Sequence, residues 1–363
     1  MDLEGLFFWV LFYNITKLTS ASAKHDIIND KWRLILQIVR GMVMKLVISG
    51  NGFDLHHKFK TSYADYRDFL LKQEPQSFKD FEEFVFFSLS DSNKWSDLES
   101  SLTIDCEKFV RNSTNNDGDL TWCDLDIDIQ QQTKFIYDFT GKFFLEWLSQ
   151  IDYSLAQNKL NNIDYKDLFV TFNYTDTLRT VYNIPSENIY HIHGAIDDIK
   201  TENIQSWFIP NFNTIEEAEI IEQFQADEFN SAIVREQIQF GSIHNNPELI
   251  EKQLTTSFEH DNFYSASIEP AIKRVVDFCE AGAKNIEKNY VPLDKFIRNK
   301  QIEEVVIMGH SMLGIDKAYY SDIIVPLLNN CRWSFYYHSE DDLIDAKGFV
   351  RMFDIKRYEF LEW

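Results

Sequence analysis

Two histidines, an asparagine, a serine and several glycines stand where short apolar runs of this sequence end, and their types and spacing are what could do chemistry. In Asn188-Ile-Tyr-His-Ile-His-Gly194, His191 and His193 alternate along a strand-like run, so both imidazoles are expected on one face. A same-face pair can begin a metal site, but no third ligand is recognisable in the sequence and no metal is expected. His193, one step before a glycine, is the better placed of the two to act as a general base; the alternative is a hydrogen-bonded core histidine. Asn173 closes Asp167-Leu-Phe-Val-Thr-Phe-Asn173. Either it caps the helix that follows, or its amide holds a sugar hydroxyl or a water. Gly309-His-Ser-Met-Leu-Gly314 nearly matches the nucleophile elbow Gly-x-Ser-x-Gly, with its second glycine one residue late. Behind Ser311, Asp316 or Asp341 with His338 give only a cramped version of the acid-then-histidine order of a serine hydrolase. Last, Lys45-Leu-Val-Ile-Ser-Gly-Asn-Gly-Phe-Asp-Leu55 runs a strand into Gly50-Asn51-Gly52 and on into an amphipathic segment. Such a turn can leave backbone N–H groups pointing at one spot, where a phosphate sits. Leu55 takes the place of the third glycine of Gly-x-Gly-x-x-Gly, and a plain strand–turn–helix uses the same glycines.

These residues must be carried by strands that end near one another. Strand character is clear at Lys45–Ser49, Asp167–Asn173, Asn188–Gly194 and Glu304–Ser311, with a β-rich run at Arg332–His338, an edge strand at Arg357–Leu361 and a weaker candidate at Ile238–Ser242. Between them the apolar spacing is helical. Thr61 or Ser62 with Asp65 reads as a helix start, and Phe78, Phe81, Phe84, Val85 and Leu89 form one helical stripe. Gln131–Ala156 reads as a long amphipathic helix, Ile215–Ala232 and Leu249–Gly282 as further helical segments, and the polar stretch from Asn112 to Asp128 as a mobile loop. Strands alternating with helices predict an α/β fold, a mostly parallel sheet with helices on both faces. Ligands in such sheets bind beyond the carboxyl ends of the strands, where Gly50-Asn51-Gly52, Asn173, His193-Gly194 and Gly309-His310-Ser311 all emerge.

The length of 363 residues suits one large domain with a big insertion, expected at about 70–160, preceded by an extension over 1–43. In that extension Leu6–Tyr13 is apolar but far short of the ~20 residues that span a bilayer. Asp2 and Glu4 argue against a secretory leader, whose start is basic. An accessory helix or an extended translation start is the expectation. Net charge is −23, which repels nucleic acid in the absence of a local basic cluster. Cys106, Cys123, Cys279 and Cys331 lie far apart, without Cys-x-x-Cys or zinc spacing, which fits a reducing cytoplasm.

Together, Gly50-Asn51-Gly52-Phe53-Asp54, Lys60-Thr61-Ser62-Tyr63, Phe172-Asn173-Tyr174-Thr175-Asp176, His191-Ile192-His193-Gly194 and Gly309-His310-Ser311-Met312 with Asp316 resemble the AbiH family of phage abortive-infection proteins, itself similar to sirtuin-like NAD-consuming enzymes. The resemblance spans about 44–330. It implies a Rossmann-like (sirtuin-like) fold with NAD as substrate: the Gly50–Gly52 turn on the diphosphate, Asn173 beside the nicotinamide ribose, His193 as catalytic histidine, and Gly309 and Ser311 near the adenosine half. Asp54 would hold a ribose hydroxyl or cap the next helix. Asp176 follows Asn173 by three residues where the sirtuin Asn-x-Asp motif has two, and the four-cysteine zinc module of deacetylating sirtuins is missing, so hydrolysis of NAD is favoured over protein deacetylation. The resemblance also implies NAD depletion on infection, with the helical insertion as the element that keeps the enzyme off. Two other readings stand beside it: a module that binds NAD or ADP-ribose derivatives without turnover, and a serine hydrolase using Ser311. The partners compatible with these readings are NAD or a related nucleotide, a phage-derived trigger and further copies of the chain, with no nucleic acid and no membrane.

Overall fold

Leu46, Val47 and Ile48 are consecutive and all buried, as a strand covered by helices on both faces requires. They form the middle of β1 (Met44–Ser49). β2 (Leu168–Thr171), β3 (Ile189–His191), β4 (Ile302–Met308), β5 (Arg332–Tyr337) and β6 (Tyr358–Glu362) complete a six-stranded sheet in the order β3-β2-β1-β4-β5-β6. The registered pairs β1–β2, β2–β3, β4–β5 and β5–β6 are all parallel. The chain winds outward from β1 in one direction and from β4 in the other, so the order reverses between those two central strands. That order and switch point make the fold Rossmann-like. The computed structural model describes residues 44–73, 142–196, 286–314 and 316–363, with positions 75, 78, 98, 251, 252, 255, 256 and 276. The chain divides into two units, Met1–Met44 and Lys45–Trp363, and the second carries the candidate site.

The described residues include eight α-helical segments: α1 (Asn51–His56), α2 (Tyr63–Gln73), α3 (Lys142–Ser149), α4 (Thr177–Tyr182), α5 (Tyr290–Arg298), α6 (Lys317–Tyr319), which runs through a π turn at Tyr320–Ile324 into α7 (Val325–Leu328), and α8 (Glu340–Met352). Local chemistry sets their starts. Ser62 and Asp65 cap each other across the first turn of α2, and Ser339 with Asp342 forms a capping box on α8. α2 packs on α3 through Tyr66, whose ring lies 4.9 Å from Trp147 and meets Phe144 edge-on at 5.4 Å. Buried His57 pins α1 to α4. Tyr182 Oη accepts the Leu160 N–H, so its own proton goes to His57 Nε2 at 2.6 Å and leaves Nδ1–H for the Phe53 carbonyl, also at 2.6 Å.

Two expectations change here. α3 stops at Ser149 rather than reaching Ala156, because Asp152 accepts the Ser154 N–H and starts a separate 3₁₀ turn at Tyr153–Leu155. β3 ends at His191, and His193 sits in the turn beyond it, before Gly194 at φ 82°. The period-two argument for a shared histidine face therefore lapses after His191, whose Nδ1 lies 3.3 Å from the Asn173 carbonyl. The expected loop at 112–128, the strand at 238–242, the helix at 215–232 and the extension at 1–43 fall outside the described residues, as does most of the insertion. Among the described residues no helix is long and apolar enough to cross a membrane.

Candidate functional site

The glycines at the ends of β1 and β4 interlock. Gly50 N–H donates to the Met308 carbonyl at 3.1 Å, Gly52 N–H to the Gly309 carbonyl at 2.9 Å, and Phe53 N–H back to the Gly50 carbonyl at 2.9 Å. A Cβ on Gly309, which has φ 61°, would lie 2.4 Å from Gly52 C and Phe53 N. These glycines let two loop backbones touch. The sequence reading aimed their amides at a phosphate; in the structure the amides of Gly50, Gly52 and Phe53 are bonded to protein carbonyls instead.

The loop after β2 is tied to the same place. Asn173 Nδ2 donates to the Gly50 carbonyl at 3.0 Å, bracing β2 against β1. Asp54 is fully buried and receives the hydroxyls of Thr175 and Thr177, each at 2.6 Å. Burial pushes its carboxyl up to about 6, against the lowering effect of those two hydrogen bonds. Asp54 thus fastens α1 to Thr175 in the loop after β2 and to Thr177 at the start of α4. Asp176 accepts the Thr180 hydroxyl at 2.8 Å and pairs with Arg179 inside α4.

Beyond β3 and β4 the structure assembles a cluster centred on Asp316. His193 Nε2 stands 3.3 Å from Asp316 Oδ1, and His310 Nε2 stands 3.3 Å from Oδ2. The His310 contact is a hydrogen bond. The His193 contact is at ion-pair distance without hydrogen-bond alignment, and contacts of this kind tighten when a ligand fills a site. Tyr320 Oη lies 2.8 Å from His310 Nδ1. The Phe172 ring stacks on His310 at 3.9 Å and meets His193 edge-on at 5.6 Å, so one phenyl ring fixes the spacing of both imidazoles. Exposed Ser311 lies beside this cluster, but the ring nitrogens of neighbouring His310 are taken up by Asp316 and Tyr320, which leaves that imidazole unavailable to activate it.

A cavity of about 990 Å³ opens at the switch point. Of the residues singled out in the sequence, Asn51, Gly52, Asp54, Asn173, His193, Gly309 and Ser311 lie on its wall; Gly50 and Asp176 do not. His310, to which the sequence gave no chemical role, and Asp316, expected only as a candidate acid behind Ser311, are on it too, with Lys58 and the carboxylates of Asp342 and Asp345. The signal that could have found the first two is the spacing Gly309-His310-Ser311…Asp316, which sets an imidazole and a carboxylate on the loop leaving one central strand. Two imidazoles, carboxylates, an amide and a lysine thus face one cavity, a set of groups suited to hydrogen-bonding a polar ligand. Among the described residues no group of three or more His, Cys, Asp or Glu is arranged to hold a metal ion.

The family model described as "Bacteriophage abortive infection AbiH" matches residues 46–337, which takes in the sheet through β5 and the whole Asp316 cluster. No curated protein and no solved structure matches the chain.

Proposed function

This chain belongs to the AbiH family of bacteriophage abortive infection proteins, and from that premise we propose that it acts in anti-phage abortive infection by hydrolysing NAD at the nicotinamide–ribose bond, in the manner of sirtuin-like NAD-consuming enzymes. One observation carries the reading: His193, backed by Asp316, lines a cavity of about 990 Å³ at the switch point where Rossmann-like sheets take nucleotides. The C1′–N bond breaks with its electron pair going to the nicotinamide ring, a leaving group that is already cationic and needs no proton. The protein has to stabilise positive charge at C1′ and supply water. Water oxygen bonds C1′, and His193 takes the proton. The carboxylate of Asp316 favours both the imidazolium and the developing sugar cation. Asn173, its Nδ2 held by Gly50, offers its carbonyl oxygen to a ribose hydroxyl or to the water. With the glycine amides engaged, the diphosphate falls to Asn51, Lys58 and Ser311 on the cavity wall.

The purified protein, with and without lysate from infected cells, is incubated with NAD and assayed for free nicotinamide. Release by wild type that is abolished in a folded His193→Ala variant is the expected result; intact NAD in both conditions overturns the reading. A second reading, a module that binds NAD or an ADP-ribose derivative without turnover, is favoured by one fact. The Asp54 carboxylate and the Asn173 amide group, both expected at the ligand, are engaged in holding loops together. Binding measured by calorimetry with no nicotinamide formed, and unchanged in His193→Ala, supports that module instead.

A further inference from the structure

We infer that the cavity wall at the ends of β5 and β6 is a nucleoside subsite, where the stacked rings of His56 and Trp363 carry the base and Asp345 accepts from the ribose hydroxyls. This subsite completes the NAD site just proposed, and it rests on that reading only in the choice of adenine as the base.

Asn173, His193 and His310, which line one end of the cavity, come from the ends of β2, β3 and β4. Asn51 and Ser311 mark the switch point between β1 and β4. A dinucleotide with its nicotinamide at His193 and its diphosphate at the switch point therefore lays its second nucleoside over β5 and β6. There the wall is made by His56 at the end of α1, Tyr336 in β5, Trp363 directly after β6, and Asp342 and Asp345 on α8. The Trp363 indole lies parallel to the His56 imidazole, with 5° between the planes and 4.5 Å between the centroids. Two contacts hold it there. Trp363 N–H donates to the Tyr337 carbonyl at 3.3 Å, continuing the β5–β6 pairing, and the Tyr336 ring packs against the indole at 5.9 Å. Tyr336 is fixed in turn by Asn162, whose Nδ2 donates to its hydroxyl at 2.8 Å. Burial lowers the His56 pKa, so this imidazole is uncharged at neutral pH and offers a π-face rather than a phosphate ligand. A planar base extends such a stack at little entropic cost, because the rings are already ordered.

The two carboxylates of α8 differ in what is left to them. Asp342 accepts the N–H groups of His338 and Ser339 and is spent on the helix start. Asp345, about one turn further along, is exposed and bonds no described residue. A carboxylate at the nucleoside end of a Rossmann-like cleft accepts ribose hydroxyls. Among the described wall residues Lys58 is the single lysine or arginine. A 2′-phosphate would bring its charge against Asp342 and Asp345, so the favoured ligand is the one with a free 2′-hydroxyl.

The test is calorimetric binding of ADP-ribose to the full chain; this probe has no nicotinamide, so turnover plays no part. Wild type should bind it, and should bind its 2′-phosphorylated form roughly tenfold more weakly. His56→Ala and Trp363→Ala, each with the wild-type far-ultraviolet spectrum, should weaken ADP-ribose roughly tenfold, and Asp345→Asn should narrow the discrimination against the 2′-phosphate. The indole ¹H–¹⁵N resonance of Trp363, identified by its loss in Trp363→Phe, should shift with ADP-ribose and stay put with ribose 5-phosphate, which has no base. If Trp363→Ala fails to fold, His56→Ala and this resonance carry the test. No binding of ADP-ribose, equal binding of its 2′-phosphorylated form, unchanged affinity in folded His56→Ala, or an unmoved Trp363 resonance overturns the inference. Variant-sensitive binding by a protein that releases no nicotinamide upholds the subsite and sinks NAD hydrolysis. Nicotinamide release with ADP-ribose binding unchanged in His56→Ala sinks the subsite and leaves hydrolysis standing.

Discussion

Asp54→Asn isolates the energetic cost of a buried carboxylate. Asp54 is fully enclosed, with Thr175 and Thr177 as its hydrogen-bond donors, and burial raises its carboxyl from 3.8 to about 6. The folded chain therefore holds this proton more tightly than the unfolded chain, where the group titrates near 3.8. Below that value the group contributes its full stability. As pH rises the unfolded state loses its proton first, and stability falls until the folded state also deprotonates near 6. A displacement of that size corresponds to ~3 kcal/mol. Asparagine does not titrate, and the threonine hydroxyls can rotate to meet its amide. Other carboxylates titrate in both proteins, so the informative quantity is the difference between them. Urea unfolding followed by tryptophan fluorescence at several values between pH 4 and pH 7 should show wild type losing ~2–3 kcal/mol relative to Asp54→Asn across that window. A gap that does not change with pH, or one in which wild type gains relative stability as pH rises, refutes the argument.

Gly309→Ala puts a methyl 2.4 Å from the backbone of Gly52 and Phe53, at φ 61°. Strain and overpacking together should cost about 3 kcal/mol or more, seen as a large drop in thermal midpoint; a loss below about 1 kcal/mol would mean that the two loops are not interlocked. Asn173→Ala removes the bond to the Gly50 carbonyl, which still accepts Phe53 N–H. Stability should fall by about 1–2 kcal/mol in chemical denaturation, and nicotinamide release should fall chiefly in kcat. Unchanged stability would remove Asn173 as the brace between β1 and β2.

The strands that carry the site were legible because each is a short apolar run stopping at a polar or glycine residue, and alternation with helices fixes where those stops gather. What each residue does there was not legible, because it depends on a partner from another strand. The amides of Gly50 and Gly52 look available in the sequence; only the neighbouring β4, with the Met308 and Gly309 carbonyls, takes them up. Asp54 follows the glycine turn as a ligand residue would, yet its donors come from the loop after β2 and the start of α4. Asp176 was drawn toward the ligand by its likeness to a motif, although the spacing Asp176-x-x-Arg179-Thr180 already describes a local helix-start pair. His310 escaped notice because Ser311 beside it matched a known pattern. Its pairing with Asp316 and Tyr320 across one helical start is tertiary geometry that no periodicity reports.

The two central strands are far apart in synthesis. β1 is finished at Ser49, but the neighbour that closes the sheet begins at Ile302, and Asp316 comes later still. A ribosome must extrude most of the polypeptide before these groups can meet, and pairing over such separations is slow. A chain that stops short of Ile302 therefore lacks β4, β5 and β6, and with them His310 and Asp316 of the cavity wall.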